Sequence, residues 1–236
     1  MNDKKSKKRI KRISLKEVAS TNDYAKARRG LGEDLIVTAK RQTGGRGTKG
    51  RSFVSEKGGV YLTALRFYEE YPAKQAFGLM ASAAVAVCKT LESFGIKPVI
   101  KWANDIHVNG KKICGILVEN TFSGENIRCA VTGIGLNVNN CLPDELKEIA
   151  TTLREETGKK LSVKGVIKRL IANLQENYPV EEYLNRLGYM GRRVELVLGD
   201  ERVPATLLCV DNEGRLWAET DGKKRGFVAA EVSVIL

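Results

Sequence analysis

Hydrophobic residues come in two rhythms along this chain. Dense apolar runs at 35–39 and 60–67 predict buried β-strands, and a briefer run at 13–15 predicts a first one. Over 73–94 the apolar positions Phe77, Met80, Ala84, Val87, Cys88 and Leu91 recur at mostly helical spacing. That predicts the longest helix, with the stripe in the core. Gly95 closes it and Pro98 lies just beyond. A strand follows over 99–102. Runs at 106–108 and 113–119 flank Asn109-Gly110, a favoured tight-turn dipeptide, and predict a hairpin. A strand over 128–133 is expected to end in a turn at Gly133-Ile134-Gly135. A short helix is read over 143–150. A longer one is read over 163–187, where Val166, Leu170, Leu174 and Tyr178 stand four apart on one face.

After Gly188 and Gly191 the rhythm shortens. Runs at 193–198, 203–210, 216–219, 226–228 and 232–235 are separated by Gly199-Asp200, Asn212-Glu213-Gly214 and Asp221-Gly222. Five short strands in succession suit a small β-barrel. Near the start, Ser20 or Thr21 caps a short helix over 22–29, ended by Gly30 and Gly32. The chain therefore divides into an arm at 1–12, a main domain at 13–188 and a small one at 189–236.

Composition narrows the class. A chain of 236 residues can hold one sizeable core and a small module. Its hydrophobic content is 42%, and it has no apolar run of the about 18 residues that a membrane-spanning helix needs. The basic N-terminus has no apolar stretch behind it, so no signal peptide is read and a cytoplasmic location is expected. Net charge is +12, which raises nucleic-acid binding as a possibility. Lys4, Lys5, Lys7, Lys8, Arg9, Lys11 and Arg12 crowd into the arm, however, and no recognition motif accompanies them. That reading is disfavoured, and the arm is taken as solvated. The cysteines are Cys88, Cys114, Cys129, Cys141 and Cys209, an odd number without a C-x-x-C. Neither a disulfide framework nor a zinc site follows.

The candidate chemistry centres on Gln42-Thr43-Gly44-Gly45-Arg46-Gly47-Thr48-Lys49-Gly50-Arg51, which packs four glycines and three cations between two predicted strands. Glycines let a backbone turn its N–H groups toward an anion, and the cations add charge. A phosphate or carboxylate would suit such a loop. So would no ligand at all, since solvated basic loops are common.

Further motifs break that tie. Ser20-Thr21-Asn22, the glycine-arginine loop, Lys101-Trp102-Ala103-Asn104-Asp105, Lys112-Ile113-Cys114-Gly115-Ile116-Leu117 and Gly133-Ile134-Gly135-Leu136-Asn137-Val138-Asn139 occur in that order. Together they resemble the motif set of the biotin protein ligases. The resemblance spans residues 20–139 and continues more weakly beyond.

The resemblance implies an α+β fold. This is a mixed β-sheet backed by helices, of the class II aminoacyl-tRNA-synthetase-like or biotin–lipoate ligase type, with a C-terminal SH3-like β-barrel. It implies a two-step reaction. ATP activates biotin as biotinyl-5′-AMP, and a lysine of a biotin carboxyl-carrier domain then takes the biotinyl group. ATP and Mg²⁺ are the implied cofactors. No specific DNA and no membrane are expected as partners, and the chain could be a monomer or a homodimer. Only about a dozen residues precede the first strand, so the winged helix of repressor-type members is not expected. A lipoate-protein ligase is the alternative within the fold.

Site roles carry over motif by motif. Lys112 and Arg46 would be catalytic. Ser20, Thr21, Asn22, Gln42, Gly45, Gly47, Thr48, Gly115, Gly133 and Gly135 would join them in binding biotin or its adenylate. Arg51, Asn104, Asp105 and Asn137 would bind ATP, with Asp105 and Asn104 meeting its Mg²⁺. Three departures stand out. Thr48 replaces an arginine that helps close the loop over the adenylate, with Lys49 as its candidate substitute, Ala103 replaces a proline, and Phe53 replaces a common tryptophan. Trp102 is read as core and His107 as a surface or edge residue.

Overall fold

The computed structural model describes residues 10–235; most of the basic arm, residues 1–9, lies outside them. Strand β1 (Lys11–Leu15) starts two residues before the predicted run and takes in Lys11 and Arg12. It pairs in parallel with β2 (Leu35–Ala39), and α1 (Thr21–Lys26) crosses between them. Ser20 caps α1, its hydroxyl accepting from the Asp23 N–H, so that residues 21 and 22 are fixed at the helix start.

β3 (Val60–Phe67) adds antiparallel to β2, and α2 (Ala76–Glu92) follows as predicted. Next come β4 (Val99–Lys101), β5 (Asp105–Val108), β6 (Lys111–Ser123) and β7 (Asn126–Leu136). The β5–β6 turn holds Asn109 at φ 49° and Gly110 at φ 83°, the two positive values that a tight hairpin of this kind needs. The sheet order is β1-β2-β3-β7-β6-β5-β4, mixed as expected.

Period-two alternation gives this sheet two faces. Ile36, Leu62, Ala64, Ile134 and Leu136 face a core shared with α2 and α4 (Val163–Asn173). Leu35, Val37, Leu65, Cys129 and Val131 face a smaller core under α1. The second face also carries Thr63, Gly133 and Gly135 by the same alternation.

Three expected elements take another form. β7 does not end in a turn at Gly133; it runs straight through both glycines to Leu136, because bare backbone pairs in a ladder as well as any other. The 143–150 helix is only a single 3₁₀ turn, Asp144–Leu146, and α3 (Leu153–Thr157) forms just after it, under a reciprocal Thr152–Glu155 cap. The 163–187 helix is two helices, α4 and α5 (Val180–Leu184). Pro179 lacks the N–H that a continuous helix would use and restricts Tyr178 before it.

The tail forms β8 (Arg193–Leu198), β9 (Glu201–Val210), β10 (Leu216–Thr220), β11 (Lys223–Phe227) and β12 (Val232–Ile235). They make an antiparallel sheet in the order β11-β10-β9-β8-β12, with its own apolar core. Trp102 belongs to that core, as expected, and its indole N–H donates to the Gly214 carbonyl at 3.0 Å. The Tyr183 hydroxyl donates to the Ala103 carbonyl at 2.8 Å. The segment leading to Asn104 and Asp105 is thus held from both sides.

His107 is buried, contrary to its reading as a surface or edge residue. β4 pairs outside β5, and Tyr189 covers the ring, its hydroxyl 3.1 Å from Nδ1. Burial, helped by nearby Lys101, lowers the imidazole pKa to about 4. A histidine held neutral in the fold destabilises it progressively as pH falls from its ordinary value of about 6.5 toward 4, because only the unfolded chain takes up the proton. Acidification over that window should therefore cost the wild type on the order of 2–3 kcal/mol more than His107→Gln. Thermal unfolding of both proteins at pH 7 and pH 4.5 checks this; equal losses would contradict it.

Candidate functional site

The second sheet face is hollow where the glycines stand. Across the strands, Asp105, Gly115, Gly135 and Tyr61 are register partners in turn, and beside them Leu117, Gly133 and Thr63. Side chains from outside the sheet fill part of the space. A Cβ on Gly133 would lie 2.2 Å from Asn22 Oδ1, and one on Gly135 would lie 2.5 Å from the Phe53 ring. One on Gly115 would lie 3.3 Å from the end of Lys112. The glycines leave a cleft floor of backbone.

Lys112 reaches this floor through a register shift. His107 pairs with Lys112 but Ile106 pairs with Cys114, so Ile113 is an extra residue on β6. Ile113 and Cys114 both enter the main core, and the alternation is reset. The bulge thereby brings Lys112 to the same face as Gly115. Its backbone is pinned by the Lys112 N–H to the Ile149 carbonyl (2.9 Å) and the Thr151 N–H to the Lys112 carbonyl (2.9 Å). Its ammonium then sits 2.7 Å from an Asp105 oxygen. Asn104 beside it donates its amide N–H to the Ile116 carbonyl at 2.7 Å, which leaves the amide oxygen to offer a ligand.

The glycine-arginine stretch folds as a small hairpin over the cleft. The Phe53 N–H donates to the Gly45 carbonyl at 2.9 Å and the Gly47 N–H to the Arg51 carbonyl at 2.7 Å. The N–H groups of Thr43, Gly44 and Arg51 also bond within the protein. Those N–H groups of the anticipated cradle are therefore engaged within the protein, and the cations of the loop carry its charge. Gly45 does not line the cleft; a Cβ there would meet the Phe53 carbonyl and Ser55 hydroxyl at 2.5 Å, so its role is to let the two loop strands close.

Arg46 does line the cleft, ion-paired with Asp23 of α1. Arg51 lines it too. Lys49 does not take the place of the missing arginine. It sits at φ 57° and its ammonium donates to Ser233 of β12 at 3.1 Å, away from the cleft. Burial and the nearby Arg51 lower its pKa.

A polar network closes the far end. Thr63 Oγ1 lies 2.6 Å from Asn22 Oδ1 and 2.8 Å from Thr21 Oγ1. The Asn22 amide donates to Glu119 at 2.9 Å, and Lys26 pairs with the same carboxylate. Gln42 accepts from the Thr21 N–H (2.8 Å) and hydroxyl (2.9 Å) and donates to Ser55 (2.9 Å), which leaves one amide hydrogen for a ligand.

Most of the anticipated site converges. Ser20, Thr21, Asn22, Gln42, Arg46, Gly47, Thr48, Arg51, Asn104, Asp105, Lys112, Gly115, Gly133 and Gly135 line one cleft. Asn137 does not reach it. It is buried, donating to the Thr151 carbonyl at 3.1 Å and accepting from Asn140 at 3.1 Å, and so serves the turn after β7. Glu119, Thr63 and Asp23 were not singled out from the sequence. Glu119 stands two and four residues beyond Leu117 and Gly115 on a strand, a period-two signal that puts it on the same face. A second groove leaves the cleft past Thr48, Arg51 and Asp105 toward Phe77 and Val232.

Asp105 and Asn104 are hard oxygen donors of the kind magnesium takes. Among the described residues no cluster of three or more His, Cys, Asp or Glu is found. Two such donors would fill part of the oxygen shell of a magnesium ion. No helix among the described residues is long and apolar enough to cross a membrane.

The chain is similar to known proteins. Residues 15–137 match the model of the biotin/lipoate A/B protein ligase family. The bifunctional ligase/repressor BirA of Bacillus subtilis is 33% identical over 218 residues, 86% of this chain. The chain spans 66% of that relative's length. The biotin–[acetyl-CoA-carboxylase] ligase of Mycobacterium tuberculosis is 27% identical over 88% of this chain and 82% of its own. Among solved structures, a biotin protein ligase from Aquifex aeolicus in complex with biotin and ATP superposes with a TM-score of 0.76 at 29% identity, covering 95% of this chain and 98% of that one.

Proposed function

The chain belongs to the biotin/lipoate A/B protein ligase family, and from that premise we propose that it activates biotin with ATP and passes the biotinyl group to a lysine of a carboxylase carrier domain. One observation carries the reading most: Lys112 and Asp105, 2.7 Å apart, face the Arg46 loop across a floor of glycines.

In the first step a carboxylate oxygen of biotin bonds to the α-phosphorus of ATP, and pyrophosphate leaves with the electrons of the broken P–O bond. Two anions must meet, so cations have to be in place beforehand. Arg46 would exchange Asp23 for the incoming carboxylate or phosphate. Lys112 would lie beside the α-phosphate, with Asp105 fixing its ammonium. Asn22, Thr21 and the remaining amide hydrogen of Gln42 are suited to the ureido head, and Gly133 and Gly135 leave the space that Asn22 and Phe53 take beside it. Phe53 supplies an aromatic wall. Asp105 and Asn104 would hold Mg²⁺ together with the triphosphate, where the ion supplies further charge neutralisation. In the second step the carrier's ε-amine attacks the acyl carbon and AMP departs.

Residues 13–188 are read as the catalytic unit. Residues 189–236 are read as the SH3-like module, which the five-stranded sheet with its own core supports. The net charge of +12 would favour approach to an acidic carrier, in a salt-sensitive way.

ATP–pyrophosphate exchange tests the first step alone. Exchange is expected to depend on biotin and to fail with lipoate. Exchange supported by lipoate, or absent with both acids, contradicts the assignment.

A further inference from the structure

The loop lacks the arginine that the ligase pattern places at position 48, and Lys49, its neighbour, is turned to Ser233. Arg46 is held by Asp23 on the other side of the cleft mouth. The remaining cation of the loop is Arg51, and its position is set by Thr48. The Arg51 Nη2 donates to the Thr48 hydroxyl at 3.1 Å, and Nε donates to the Thr48 carbonyl at 3.3 Å. The Arg51 N–H also donates to that carbonyl, at 3.3 Å. Both residues line the cleft and the adjoining groove, and so stand on the ridge between them.

We propose that Thr48 is a positioning residue: its hydroxyl orients the Arg51 guanidinium over the cleft, so that Arg51 delivers the charge that an arginine at position 48 would otherwise bring. The proposal rests on the ligase reading. Its chemistry is that of a fork. Two of the guanidinium's N–H groups are engaged by Thr48, and the others are left for a phosphate or the acyl phosphate. A free arginine side chain must lose rotamer freedom to make such a contact, and a side chain already held by its neighbour loses less.

Thr48→Val keeps the shape and the backbone contact but deletes the acceptor. Thr48→Ser restores the acceptor without the methyl. ATP–pyrophosphate exchange in the wild type, Thr48→Val, Thr48→Ser, Arg51→Ala and the Thr48→Val/Arg51→Ala double variant separates the possibilities. Biotin-dependent exchange by the wild type tests the ligase reading by itself; the pattern among the variants tests Thr48. The expected result is an ATP KM raised about fivefold in Thr48→Val, with a smaller change in kcat. Thr48→Ser should fall within about twofold of wild type, and Thr48→Val should add nothing once Arg51 is gone. A Thr48→Val protein with wild-type ATP KM, or one whose loss persists in full in the Arg51→Ala background, overturns the proposal.

Discussion

Replacing Lys112 with alanine is expected to lower biotin-dependent pyrophosphate exchange by about 10³-fold, the scale of removing one preorganised group that stabilises developing charge. The side chain is placed by three independent features. A bulge in β6 turns it to the site face, the 149–151 segment fixes its backbone, and Asp105 holds its ammonium at 2.7 Å. The pair is part-exposed, so its loss should cost the fold about 1 kcal/mol or less. Activity and thermal stability are thereby separable. Lys111 is the internal control. It is the next residue along the chain, yet its ammonium donates to the Lys147 carbonyl at 2.6 Å, outside the cleft. Lys111→Ala should exchange at close to the wild-type rate. Steady-state exchange with both variants decides the matter: comparable losses, or a Lys112→Ala enzyme within tenfold of wild type, would remove Lys112 from the chemistry.

The second large effect is steric. Gly133→Ala places a methyl 2.2 Å from Asn22 Oδ1, far inside contact distance. Asn22 has little freedom to yield, because Thr63 at 2.6 Å and Glu119 at 2.9 Å fix the two ends of its amide. The strand cannot yield either, since Gly133 pairs with Thr63 on one side and Leu117 on the other. The amide must shift by about an ångström, and a misplacement of that size in a binding constellation can cost about 10²-fold. Overpacking would also cost the fold roughly 1–3 kcal/mol. Gly30→Ala makes the contrast, because a Cβ there meets nothing within 4 Å. Titration calorimetry with biotin should give an affinity near wild type for Gly30→Ala and a loss of about two orders of magnitude for Gly133→Ala. A Gly133→Ala affinity within twofold of wild type would show that Asn22 does not face the ligand.

Local signals carried much of this architecture. The α2 stripe, the Asn109-Gly110 hairpin and the five tail strands follow from spacing and turn chemistry that act over a few residues. The ordered motifs named the cleft because each sits at a helix start, in a loop that folds over the sheet, or at the end or on the open face of a strand. Errors arose where distant residues decide. The placement of β7 between β3 and β6 turns its glycines into a cleft floor instead of a turn. Tyr189, 82 residues away in sequence, buries His107. Asn137 looks like a ligand-facing amide in a glycine-rich motif, but Thr151 and Asn140 occupy it. The Lys112 bulge depends on how β5 and β6 register, which no single strand encodes. Pro179 was different: it stands inside the 163–187 span, and its missing N–H was a local reason to break the helix.

The central claim is that one cleft both makes an acyl-adenylate from biotin and delivers it to a carrier lysine. Its most direct test is the mass of a biotin carboxyl-carrier domain after incubation with this chain, ATP, Mg²⁺ and biotin. The account predicts a gain of one biotinyl group, dependent on ATP and on the carrier's acceptor lysine, and lost with Lys112→Ala. An unchanged carrier mass, in a reaction where wild-type exchange is also absent, would contradict it.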